Sequence, residues 1–113
     1  MSVPRLVEFL TDRIGEDEAT ARSAHVETVL PAIWSPELLG QGPFVNHVAR
    51  WDPIRVLAEC ESKRRIVSRC DMILRGREVG MFSGGQEQDA GDILRALALP
   101  YVTHLFYREE YAP

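Results

Sequence analysis

The sequence predicts a mostly α-helical fold, a small bundle with an irregular Pro/Gly connection, and three observations predict it. Apolar residues recur at spacings of three and four over residues 2–24. They do so again over 53–75, and a third helical stretch is broken by Pro100 before an aromatic tail. The 113 residues fit one ordinary domain. Hydrophobic residues at 45% and charged residues at 27% exclude collagen-like, low-complexity and wholly disordered chains.

The first helix is read from Ser2 to Ala24. Val3, Val7, Leu10, Ile14 and Ala21 form one stripe with Leu6 and Phe9 beside them. Ser2 serves as N-cap and Pro4 is tolerated in the first turn. Gly15 interrupts at a cost of about 1 kcal/mol relative to Ala. Residues 25–46 lose the period under Pro31, Pro36, Gly40, Gly42 and Pro43, so they read as the irregular connection. Within it Val26 to Leu30 is expected as a short strand. Its only available partner is Val79 to Phe82, which together would make a minor two-stranded element.

Asn46 is expected to cap a short turn, His47 to Trp51. Asp52 and Pro53 then stand in N-cap and first-position order, with Trp51 and Val56 at hydrophobic-staple spacing. Val56, Cys60, Lys63, Val67, Cys70 and Leu74 follow as a heptad seam on a central helix that Gly76 should stop. That seam is either a packing surface against the other helices or a face open to a partner helix. The five glycines of residues 76–91 predict a mobile loop. Asp89 and Asp92 should open the last helix, whose apolar face is Ile93, Leu94, Leu97 and Ala98. Pro100 should end it, and Tyr101, Phe106, Tyr107 and Tyr111 must fold back because their apolar area is too large to leave wet.

The formal charge of −4 argues against a chain that coats nucleic acid through long-range attraction, and residues 51–85 are the only net-positive third. Twelve of the thirteen basic residues are Arg, which fits the codon composition of a GC-rich genome. Cys60 and Cys70 form no Cys-x-x-Cys, and no apolar run resembles a signal peptide or a membrane span. A reducing cytoplasm is the expected location.

His47-Val48-Ala49-Arg50, Asp52-Pro53, Arg55-Val56-Leu57, Glu61 and Lys63-Arg64-Arg65-Ile66 stand in order along the chain. Ala98-Leu99-Pro100-Tyr101, His104, Tyr107-Arg108-Glu109-Glu110 and Pro113 follow them. Together with the acidic patch Glu16-Asp17-Glu18-Ala19, these blocks resemble an uncharacterised family of short actinobacterial and actinophage proteins over roughly half the chain. The resemblance implies a related fold and a common origin, and no reaction. Three positions depart from the family pattern. Trp51 replaces a second His, Leu105-Phe106 replaces a Pro-polar pair, and Tyr111 replaces Trp. A site needing two neighbouring histidines could not operate here.

The two family-like blocks also supply the candidate binding set: His47, Arg50, Asp52, Tyr101, His104 and Tyr107. If the tail folds back, these residues could share a hydrogen-bond network that fixes its docking. No nucleophile with a partnered base accompanies either His, so structural roles outweigh catalytic ones. His25, His47, His104, Cys60 and Cys70 lack zinc-site spacing, and no metal or cofactor is expected. The glycines around 76–85 match neither a phosphate loop nor a nucleophile elbow. Lys63, Arg64, Arg65, Arg69 and Arg77 form the only basic cluster, but the acids among them favour a solvated helix face. The leading expectation is a non-enzymatic accessory protein of phage or actinobacterial origin that binds a protein, or a second copy of itself through the central helix. Nucleic-acid binding through the basic helix and a small hydrolase or metal protein built on His47 and His104 are the alternatives.

Overall fold

The computed structural model describes residues 3–27, 42, 43, 47 and 50–113, and among them every regular element is helical. They are α1 (Val3–Glu27), α2 (Pro53–Arg75) and α3 (Gly84–Ala98), with 3₁₀ turns at Gly76–Val79, Leu99–Tyr101 and Glu109–Tyr111. The small helical bundle read from the sequence is therefore present, and none of the described residues is in a strand. No helix among them is long and apolar enough to cross a membrane. The chain divides into two compact units, one comprising Met1–Ile14 with Ser62–Pro113 and the other Gly15–Glu61.

The first unit buries the stripe that the spacing marks on α1, namely Leu6, Phe9, Leu10 and Ile14. It also buries Val67 and Cys70 of α2, Ala90, Leu94 and Ala98 of α3, and Tyr111 of the tail. Each fully buried Leu or Ile is worth about 1.5–3 kcal/mol relative to exposure. The heptad seam is thus occupied by the protein's own side chains at Val67 and Cys70. Its remaining members in this unit, Lys63 and Leu74, are half-buried.

In the second unit Ala21 and Cys60 are buried. Here α2 begins as the sequence demands: Asp52 Oδ1 accepts the Arg55 N–H at 2.8 Å, and Pro53 occupies the first helical position, where no donor is needed. Trp51 donates its N–H to the His47 carbonyl at 3.1 Å. The guanidinium of Arg55 lies over the Trp51 ring, 4.6 Å from its centroid. Residues 1, 2, 28–41, 44–46, 48 and 49, including the expected Ser2 cap, most of the irregular connection and the expected Asn46 cap, lie outside the described residues.

Two expectations differ from the structure. Among the described residues the two-stranded element is not formed: Val26 and Glu27 belong to α1, Val79 ends a 3₁₀ turn, and Gly80 is left-handed at φ 67°, while residues 28–30 lie outside the described residues. The central α-helix ends at Arg75 with Gly76 next, as the sequence reads, while the left-handed step comes later, at Gly80. The chain tightens into the 3₁₀ turn, and Gly80 closes it by donating to Arg77 O at 3.1 Å while Met81 donates to Gly76 O at 3.0 Å. This double bond pattern is a Schellman motif with Gly80 at its left-handed position. Gly76 serves a different need, since a Cβ there would stand 2.7 Å from the ring of Phe82.

Residues 76–91, expected as a loop, are the second difference. From Gly84 onward they are helical. Ser83 Oγ accepts the Gln86 N–H at 3.1 Å, and the Ser83 N–H donates to Gln86 Oε1 at 2.8 Å. This reciprocal capping box satisfies two end donors and offsets the entropy of fixing Gly84 and Gly85. Asp89 and Asp92 consequently lie inside α3. Asp92 accepts from Gln88 Nε2 at 3.0 Å and faces Arg95 Nη1 at 3.7 Å.

Candidate functional site

Pro100 ends α3 after Ala98 because it has no N–H to give the ladder, and the chain continues as a chain of tight turns. The His104 N–H donates to Tyr101 O at 2.9 Å, and the Tyr107 N–H donates to His104 O at 3.0 Å. Between them the side chain of His104 acts on its own turn, since its Nδ1 accepts the Phe106 N–H at 3.0 Å. A backbone N–H can only donate, so Nδ1 carries a lone pair and the ring proton resides on Nε2. The same nitrogen receives Nη1 of Arg13 from α1 at 3.3 Å.

Phe9 of α1 is the anchor on which this turn rests. The rings of Tyr101, His104 and Tyr107 stand edge-on to it at centroid distances of 6.3, 5.8 and 6.1 Å. Tyr111 leans on it at 5.2 Å and meets Tyr107 edge-on at 5.8 Å. Edge-to-face pairs at these spacings add about 0.5–1.5 kcal/mol each beyond their buried area. Arg13 is only 5% exposed. Its guanidinium lies 5.0 Å from the Phe9 centroid and 5.7 Å from that of Phe106, a position that lends a buried cation two π faces. On the other side Lys63 Nζ reaches over Tyr101 at 5.7 Å.

The consequence is a fixed turn that presents two large apolar side chains outward: Leu105 is 87% exposed and Phe106 63%. They border a cleft of about 480 Å³ whose far wall is the charged face of α1, with Arg5, Glu8 and Asp12.

Of the residues singled out from the sequence, Tyr101, His104 and Tyr107 come together here. His47, Arg50 and Asp52 belong to the second unit. There His47 is exposed with its ring 6.3 Å from Trp51, the Arg50 carbonyl accepts from Arg55 Nη1 at 3.3 Å, and Asp52 is the cap of α2. The basic residues serve separate surroundings. Lys63 covers Tyr101, Arg65 and Arg69 line a groove between α2 and α3, Arg64 borders a cavity beside α1, and Arg77 is exposed in the 3₁₀ turn. Burial pushes the Cys70 thiol above its ordinary pKa. Among the described residues no three His, Cys, Asp or Glu side chains group as metal ligands.

Phe9 and Arg13 are the site residues that the sequence reading did not single out. One signal for Arg13 was available: it lies one turn beyond Phe9, a cation within the apolar face of Leu6, Phe9, Leu10 and Ile14.

A family model for a family of unknown function, DUF6221, matches residues 3–113, nearly the whole chain. The chain belongs to DUF6221. Neither the curated proteins nor the solved structures contain a match to it. The resemblance seen in the His-Val-Ala-Arg and Leu-Pro-Tyr blocks therefore has a family behind it. In this DUF6221 chain the second of those blocks opens the tail turn, and Asp52, beside the first, caps α2.

Proposed function

We propose that this DUF6221 chain is a non-enzymatic interaction protein that docks another protein through the tail turn carrying Leu105 and Phe106. The observation that supports it is the combination of exposure and rigidity: two large apolar side chains stand in water on a backbone held from both sides by His104. A loop already ordered in its presenting conformation avoids much of the entropy that docking costs, and well-placed apolar anchors carry most of the energy of a typical interface. The cleft beside them adds a charged rim that would select among partners. An actinobacterial or phage setting and a cytoplasmic location complete the proposal, supported by the block resemblance and by the preference for Arg over Lys.

Affinity capture from an actinobacterial lysate tests it, with the wild-type chain and the Leu105→Ser/Phe106→Ser variant compared by quantitative mass spectrometry. The expected result is a specific partner whose recovery falls at least tenfold in the variant while its helical circular dichroism is unchanged. Equal recovery by both chains, or no specific capture by the wild type, overturns the proposal.

A further inference from the structure

A second surface, sharing no lining residue with the cleft beside the tail turn, lies in the groove of about 430 Å³ between α2 and α3. Its floor is the buried pair Cys70 and Ala90, and its shoulders are Ile66 of α2, 40% exposed, and Ile93 of α3, 45% exposed. The spacing places Ile66 and Arg69 one turn apart on α2, and Asp89 and Ile93 one turn apart on α3. Each wall therefore repeats one design: a stiff isoleucine with a charged residue beside it. The charges are opposite, Arg65 and Arg69 on one wall and Asp89 on the other. Arg65 has a partner within the chain, whereas among the described residues neither Arg69 nor Asp89 makes an ion pair.

We infer that this groove is the self-association surface of the protein, where two copies pack about a two-fold axis. The α2 wall of one copy lies on the α3 wall of the other. An isologous interface uses the same patch twice, so the patch must complement itself after rotation. This groove does. Rotation sets Arg69 against the partner copy's carboxylate and Asp89 against the partner copy's guanidinium, with the isoleucines enclosed between two salt links. A groove charged with one sign would repel its own copy, and an uncharged helix from another protein would leave both charges facing apolar surface. The opposed pair thus favours a second copy of this chain over an uncharged helix or one charged with a single sign. The inference does not depend on the tail turn, which is a different face of the same unit.

Sedimentation equilibrium of the full chain from low to high micromolar concentration tests it. The wild type is expected to dimerise. Arg69→Asp and Asp89→Arg should each weaken the dimer at least tenfold, because each places two like charges together twice over. The double variant Arg69→Asp/Asp89→Arg should recover wild-type dimerisation, which a general loss of stability could not produce. Far-UV circular dichroism checks the fold, and Arg69→Gln with Asp89→Asn replaces the reversals if either disturbs it, with the expected loss then smaller. Leu105→Ser/Phe106→Ser should leave the dimer intact, which separates this surface from the one proposed for partner docking. A wild type that stays monomeric at the highest concentration overturns the inference. So does a dimer indifferent to both single substitutions, or a double variant that fails to recover.

Discussion

The chain changes direction after α2 and again after α3, and the two changes are built from opposite materials. Between α2 and α3 it uses what is small: Gly76 lets the Phe82 ring lie against the backbone, Gly80 takes the left-handed step, and Ser83 closes the next helix with its hydroxyl. After α3 it uses what is large, with Tyr101, His104, Tyr107 and Tyr111 gathered on Phe9. The first is local, every partner lying within a few residues. The second joins positions more than ninety residues apart. The link should therefore be sensitive to added atoms and the tail to removed ones.

The largest effect expected from that contrast is Phe9→Ala, which removes the ring under the whole tail. Truncating a buried Phe costs about 3–5 kcal/mol, so a drop in Tm of roughly 15 °C or more should appear in calorimetry. A drop of only a few degrees would mean that the tail does not depend on its anchor. Next comes Gly76→Ala, where one methyl group must displace the Phe82 ring. Overpacking of this kind costs about 1–3 kcal/mol, read as a lower denaturation midpoint with the slope unchanged. Ser83→Ala should cost about 1 kcal/mol through loss of the capping box, and hydrogen exchange at the Gln86 amide should accelerate while the C-terminal turns of α3 stay protected. Smallest is Leu105→Ser, expected within about 0.5 kcal/mol of wild type because the side chain leaves water to nothing in the unit. A larger loss would show that Leu105 belongs to the packing of the tail and not to its presentation.

The same contrast explains what could be read from the sequence. The stripes of α1 and α2 are visible because burial on one side of a helix forces a spacing of three and four, and the Asp52-Pro53 start is visible because both residues act within one turn. Pro100 announces the end of α3 by lacking a donor. The start of α3 is obscured by Gly84 and Gly85, whose local preference points to loop, whereas Ser83 and Gln86 decide the matter by bonding to each other. That the left-handed step falls at Gly80 and not at Gly76 is equally hidden, because either glycine could take it. The aromatic composition of residues 101–111 shows that the tail must cover something. That it covers Phe9, and that Arg13 reaches His104, is pairing across most of the chain, which no periodicity records. Of the candidate site, Tyr101, His104 and Tyr107 were visible as members of one block and do gather, while Asp52 has its occupation in the cap of α2.

The two thiols of α2 carry a practical consequence. Cys60 and Cys70 are both buried and both reduced, ten residues apart on one continuous helix. Ten residues of helix rise about 15 Å, and a disulfide needs its Cα atoms within about 7 Å. Ageing without reductant cannot tie one chain into a loop unless that helix melts. A looped monomer, running faster on a non-reducing gel, would therefore count molecules whose α2 had opened during storage, giving a simple assay of how often the native state is left.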